Sequence, residues 1–376
     1  GKLWAGDFEE VKRHLRFQAA MQGDDGFIRW VAPSLAPYTA ENNTAYWVDH
    51  VWFYYAWSGD RAFLEEMWPA IEKAVQWECA NNDPDGDGLF QAKYEYWNCD
   101  SNGKGPKAAT PTTTAWAMHD RAARIAKILG ETVAAEQYSA KAELIKQKAF
   151  SELWNNEQGI LGSIGAEGIW RGHPQTWEQY HGINNGFIPV DKGRRAMRWL
   201  EANYAFEGDP GVHMLMNCDW WPLRWSVHWV PTGDTCLAAL AGMKCGDADL
   251  WWPYLDTTVM SSFRSRTPGV NFSIGNRAGG GGGGIEFIDS DDPFMHAVVR
   301  GMFGVEPEMH NGRLNIVPAF PSDWESAELK TPQFRYVYRN DGKKITVEIV
   351  TPQPTVKAVS LPGHTDPIVT PSERVS

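Results

Sequence analysis

From Asp7 to Phe303 the chain repeats apolar residues three and four positions apart, the spacing of helices with one buried face. Asp7 with Glu10 three residues on is a capping-box pattern ahead of Val11, Leu15 and Ala19. A second run, 42–57, stops at Gly59, and Asp60 is placed to cap a third helix that carries Phe63, Met67, Ile71 and Val75. Pro111 and Thr112 open a fourth, with Trp116 and Ala123 inward and Gly130 as its stop. Further helices are expected over 131–150, 191–203, 234–243, 247–262 and 293–303.

Tight Gly-Asp or Gly-Glu joints alternate with long stretches rich in Trp, Gly, Asn and Asp. That asymmetry predicts a mainly α fold, an (α/α)6 toroid of helical hairpins with short turns on one face and functional loops on the other. About ten helices are counted where a complete six-hairpin ring has twelve, so the missing pair is expected upstream of Gly1 or inside the irregular stretches. After Gly312 the texture changes. Residues 314–318, 334–339, 344–350 and 356–361 are short, β-branched and alternating, separated by Asn-Asp-Gly and Pro turns. The expected organisation is a toroid over 1–311 and a small C-terminal β-sheet or sandwich region over 312–376, ending in a Pro/Ser/Thr-rich strap.

Composition narrows the function classes. A net charge of −12 without a basic cluster argues against nucleic acid. No run of about 20 apolar residues is present to span a membrane. No signal peptide opens the sequence; export to the periplasm or the medium would rest on a leader before Gly1. Cys79, Cys99, Cys218, Cys236 and Cys245 lack metal-type spacing and read as scattered buried thiols with room for one disulfide. The outlying number is 20 tryptophans. Indole faces pack on sugar C–H faces and indole N–H groups donate to hydroxyls, which fits a saccharide cleft; toroid cores filled with Trp fit equally.

Three kinds of segment can carry chemistry. Asp83, Asp85 and Asp87 alternate with Pro and Gly like the opening of a calcium loop, although Glu95 falls one step late for that register, so a structural calcium competes with a plain Asp-Gly turn. The chain then enters Tyr94-Glu-Tyr-Trp-Asn-Cys-Asp100, where two carboxylates stand among aromatics. Glycosidic cleavage needs a carboxylic acid to protonate the leaving oxygen, and an apolar wall raises its pKa; Asp100 is the first candidate and Glu95 the second. Six glycines, 279–284, lead into Glu286, Asp289, Asp291 and Asp292. No Lys-Ser/Thr follows to make a phosphate loop. Asp292 suits a helix N-cap, and one of Glu286, Asp289 and Asp291 suits the base that activates water. Aromatic segments at 46–50, 170–173, 177–181, 219–221 and 225–229 mix indole with charge and are expected to line one cleft. No His pair has the spacing of a catalytic metal site.

The order of these segments resembles the inverting (α/α)6-barrel glycoside hydrolases, the group of the trehalases and the glycoside hydrolase family 63 α-glucosidases. Glu95-Tyr-Trp-Asn-Cys-Asp100 stands where trehalases carry their general-acid loop, without its Ser-Gly-Trp core. His228-Trp-Val-Pro-Thr-Gly-Asp234 is similar to their Gln-Trp-Asp-x-Pro-x-Gly-Trp segment. Their Gly-rich run leading through Glu-Tyr to the base is matched by glycines 279–284 and Glu286-Phe287. That match puts Asp291 at the base position. Asn311-Gly-Arg-Leu-Asn-Ile-Val-Pro318 looks like the start of the β region of many toroid glycosidases. The resemblance implies inverting, metal-independent hydrolysis, with Trp47, Trp97 and Trp229 walling the subsites and Asp49 and Glu178 binding hydroxyls. It does not extend to trehalose, since the trehalase arginine signature is absent.

Rival readings are a polysaccharide lyase using Arg171, His173, Tyr180 and His181 on a similar toroid, a phosphorylase, and a non-catalytic carbohydrate-binding toroid. The sequence leaves the sugar, linkage and oligomeric state open.

Overall fold

The computed structural model describes residues 2–29, 42–91, 105–207, 211, 213–219, 232–263, 291–361 and 366–370, with backbone alone for 258–263 and 291. Within them, α1 (Phe8–Ala20), α3 (Arg61–Asn82), α5 (Thr132–Lys148), α7 (Val190–Tyr204) and α9 (Ala248–Phe263) form an outer layer. The inner layer is α2 (Asn42–Ser58), α4 (Ala109–Leu129), α6 (Thr176–Asn184), α8 (Thr232–Lys244) and α10 (Asp291–His296). Successive inner helices pack on one another and the outer helices lie against them. The outer helices run one way: along α1 and α3, Lys12 meets Asp60, Arg16 meets Glu66 and Gln22 meets Ala70. Each inner helix returns the other way, so all inner N-termini collect on one face. α10 continues into a π-helical turn, Ala297–Met302, and closes the ring. His296 stacks on Phe53 of α2 at 5.7 Å, and the Arg300 guanidinium lies 4.8 Å from the same ring. Trp4 wedges edge-on against Phe53, Trp57 and His296.

Burial follows position in the ring. In α1 Leu15 alone is buried, whereas α2 buries Asn42, Thr44, Trp47, Tyr54 and several more around its whole circumference. A helix covered on every side loses the one-faced stripe. The aromatic segment 46–50 accordingly lies within α2, inside the helical run expected over 42–57, whereas 177–181 is part of α6, a helix the sequence did not announce. The whole of α6 escapes the periodicity, because Thr176 to Tyr180 are consecutively buried. Segment 170–173 enters a short strand, Trp170–Arg171.

The joints follow their local chemistry. Gly59 at φ +68 turns the chain out of α2. Asp60 then caps α3 by accepting from the Phe63 N–H at 3.1 Å, while its other oxygen takes Lys12 Nζ at 2.7 Å and the Tyr54 hydroxyl at 3.1 Å. Gly130, left-handed at φ +90, ends α4. The α8–α9 pair is close enough that a Cβ on Gly242 would fall 2.0 Å from Trp251 Cδ1.

Short two-stranded ribbons precede the C-terminal sheets: β1 (Trp154–Asn155) with β2 (Ile160–Leu161), β3 (Ser163–Ile164) with β4 (Trp170–Arg171), and β5 (Ala205–Glu207) with β6 (His213–Leu215). The C-terminal part is two sheets. One orders β13 (Ile368–Thr370), β12 (Val356–Val359), β8 (Arg313–Ile316) and β7 (Val305–Glu308), with β12 parallel to β8. The other is an antiparallel meander of β9 (Ser326–Lys330), β10 (Arg335–Asn340) and β11 (Ile345–Val350). Strand β9 was absent from the expected set because its exposed face carries charge, and β7 joins the sheet from before residue 312. Tyr336 and Phe334 of this region pack on Phe303 and Trp57 at 5.0 and 6.2 Å, so sheet and ring share one core. Among the described residues no helix is long and apolar enough to cross a membrane. Cys79 and Cys245 are free thiols, Cys218 and Cys236 are buried, and Cys99 lies outside the described residues.

Candidate active site

The inner helices enclose an axial cavity of about 830 Å³. α2 supplies Tyr46, Asp49 and His50 to its wall; α4 supplies Arg121, α6 His181 and α8 Lys244. Asp292 and His296 of α10 and Glu306 of β7 complete the polar part.

Charges in this wall are paired. Arg121 Nε donates to Asp49 at 3.0 Å, Nη2 donates to the Asn185 carbonyl at 2.8 Å, and Nη1 bonds Asp120. Burial works against the guanidinium, but Asp49 and Asp120 outweigh it and push its pKa up. Glu306 takes Lys244 at 2.6 Å and Arg300 at 2.9 Å. It keeps 34% of its side-chain surface and lines the cavity. Enclosure alone would raise its pKa; Arg300 and Lys244 overcome that and hold it down at about 2. Burial, with Arg300 beside it, lowers Lys244 in spite of Glu306.

For the imidazoles burial outweighs every acid nearby. His181 falls to about 4, with Asp49 opposing, and His296 falls to about 3, with Arg300 adding to the burial. His50, whose exposed surface opens on the cavity, is lowered as well by the desolvation of that site. At neutral pH these rings are therefore uncharged hydrogen-bonding groups.

At the inner N-terminal face the polar lining is incompletely satisfied among the described residues. The Tyr46 hydroxyl is buried, which raises its pKa against the opposing influence of its neighbours Thr114 and Asn42, and its hydrogen-bonding capacity is not fully met among the described residues. Both polar atoms of the Asn42 amide are buried without described partners as well. Buried polar groups are nearly always satisfied, by protein, water or ligand. Beside them, the first turns of the inner helices carry carboxylates, where the positive end of each helix dipole favours a negative charge. Asp234 of α8 accepts from Trp177 Nε1 at 2.9 Å and from the Tyr180 hydroxyl at 3.1 Å. Glu178 of α6 accepts the Ser163 hydroxyl at 3.2 Å.

Of the residues singled out by sequence, Asp49 lines the cavity and Asp291 is the first residue of α10. Asp292 therefore lies inside the first turn of α10 and faces the cavity, which corrects its expected role as the N-cap. Trp47 is a second correction: it is 1% exposed and its indole N–H donates to the Leu15 carbonyl at 3.3 Å, so it is core and not a sugar wall. Glu178 is also 1% exposed and is held by the Ser163 hydroxyl. Asp100, Glu95, Trp97, Glu286, Asp289 and Trp229 lie outside the described residues. Their segments, 92–104, 220–231 and 264–290, precede α4, α8 and α10 along the chain.

The carboxylates of Asp83, Asp85 and Asp87 do come within 4.8 Å of one another. Asp83 is already held by Lys141 and the Gly88 N–H, and Asp87 by Lys107 at 2.6 Å, so a cation would compete with two ammonium groups. The lyase set does not assemble: Arg171 is bound to Glu167, His173 to Asp219 at 2.7 Å, and Tyr180 to Asp234, while His181 faces the axial cavity. Arg121, Lys244, Arg300 and Glu306 were missed. The available signal was a charge within or at the end of an otherwise apolar helix or strand, a position that demands a partner.

Residues 6–180 match the family model described as the bacterial alpha-L-rhamnosidase 6 hairpin glycosidase domain. The GH78 family rhamnosidase of Bacillus sp. GL1 superposes with a TM-score of 0.72 at 18% identity, covering 94% of this chain and 37% of its own. The Streptomyces avermitilis alpha-L-rhamnosidase complexed with L-rhamnose gives 0.57 at 15% identity, with 94% and 34% covered. The GH63 mannosylglycerate hydrolase of Thermus thermophilus gives 0.55 at 12% identity, with 77% and 88% covered. The chain thus spans little over a third of the length of the rhamnosidases it matches. No curated protein matches it. Residues 6–180 are thus similar to a six-hairpin glycosidase domain, and the chain as a whole has the (α/α)6 fold of these enzymes.

Proposed function

We propose that the chain hydrolyses glycosidic bonds with inversion, using two carboxylates and no catalytic metal. The observation that carries this is the unsatisfied polar lining where the inner helices begin. The buried Tyr46 hydroxyl and Asn42 amide await a hydroxyl-rich ligand, and carboxylates stand around the same end. In this reading Asp100 protonates the leaving oxygen and Asp291 draws the proton from water on the opposite face of the ring. A helix N-terminus favours the ionised state that a base must keep. Inversion requires the two carboxyl groups about 6.5–9.5 Å apart, leaving room for that water. The neutral imidazoles of His50 and His181 add hydrogen-bonding capacity without drawing anions. The rhamnosidase domain match makes α-L-rhamnosides the first substrates to examine.

The test is turnover of an aryl glycoside panel that includes an α-L-rhamnoside, with proton NMR of the first sugar released. Inverted product is expected, and Asp100→Asn and Asp291→Asn should each lower the rate by at least about a hundredfold with unchanged melting. Wild-type rates in either variant would remove that residue from the mechanism, and retained configuration would remove the inverting scheme.

A further inference from the structure

On the outside of the ring, the end of α3 carries a second feature with the chemistry of a sugar contact. Gln76, Trp77, Ala80 and Asn81 fall on one face of that helix, and with Asp25 they line an open hollow of about 350 Å³. Trp77 is only partly buried. Its indole N–H is held by Asp25 at 3.1 Å, and its ring lies 4.8 Å from Phe27, tilted by 42°. The loop that supplies Asp25 and Phe27 is locked to the helix: a Cβ on Gly26 would fall 2.2 Å from the Lys73 carbonyl. The indole plane is therefore fixed before any ligand arrives, which removes the entropy of ordering it.

Ala80 matters because it is small. One turn beyond Trp77, its methyl leaves the space that a longer side chain would fill. The Gln76 and Asn81 amides are neutral, the Asp25 carboxylate is engaged by the Trp77 indole and the Phe27 N–H, and among the described residues no Lys or Arg lines the hollow. A fixed aromatic ring with neutral amides at its edge matches a ligand with an apolar face and hydroxyls around it. That is a pyranose ring, and not an anion or an apolar peptide helix. α3 ends on the same face as the inner N-termini, so the hollow stands at the rim of the proposed active-site face.

We propose that Trp77 and its neighbours form a surface binding site for a neutral sugar unit, holding a long saccharide at the rim. The proposal deepens the glycosidase reading by naming a polymeric or oligomeric ligand, but it does not require turnover. The test is native electrophoresis through gels containing rhamnogalacturonan, xylan or a β-glucan, comparing wild type with Trp77→Ala and Ala80→Arg. The second variant fills the hollow and keeps the Trp77 packing. Retardation of the wild type by at least one polysaccharide is expected, reduced at least severalfold in both variants and kept in Asp291→Asn. A wild type that no gel retards, or an Ala80→Arg variant retarded like the wild type, overturns the site. Failure of aryl glycoside turnover with retardation intact would instead count against the hydrolytic reading alone.

Discussion

The interior histidines should make this ring acid-labile, and His181 offers the clean perturbation. Its ring lies inside α6, 5.7 Å from Tyr46 and 5.5 Å from Trp177, and burial lowers its pKa from 6.5 to about 4. A depressed imidazole pKa means that the unfolded chain binds a proton the folded chain refuses. Stability is whole above 6.5 and is lost as the pH falls toward the folded value. A 2.5-unit gap at about 1.4 kcal/mol per unit gives at most roughly 3 kcal/mol lost between neutrality and pH 4, the ring being part-buried against the cavity. His296, at about 3, adds a similar loss over the same window. Together these rival the roughly 5–15 kcal/mol that a whole domain has to spare. Urea unfolding of wild type and His181→Gln from pH 7 to pH 4 measures it. The variant is expected to start less stable but to lose up to about 3 kcal/mol less across the range. Equal losses in the two proteins would show that His181 titrates like a solvated imidazole, and the buried neutral ring would have to be abandoned.

Other perturbations follow from packing and pairing. Gly242→Ala places a methyl into the Trp251 ring and should cost at least about 3 kcal/mol, read as a lower melting temperature, since that indole is fully buried between α8 and α9. Asp60→Ala removes the cap on α3 together with the Lys12 and Tyr54 contacts, and a loss of about 2 kcal/mol is expected in chemical unfolding. Because lysines already occupy Asp83 and Asp87, millimolar calcium should leave the melting temperature unchanged in wild type. A rise of several degrees would instead establish a structural ion there.

Local residues determined a good deal by themselves. Asp7, Gly59, Asp60 and Gly130 mark helix ends because each acts on the backbone within three residues of itself, and no distant partner is needed. The outer helices α1, α3 and α7 were legible for the same reason, having one wet face and one dry one. The alternation of tight joints and long stretches made the ring itself legible. Tertiary structure decided what lies inside. α6 has no visible stripe because neighbours cover all of it, so only its surroundings make it a helix. Trp47 and Trp77 look alike in sequence. One is buried between α1 and α2 and the other stands at the rim, since which way an indole faces depends on the helices packed around it. The pairing of Lys244 with Arg300 and Glu306 joins α8 to elements more than fifty residues further along the chain, and only folding lowers the dielectric enough to make their charges depend on one another.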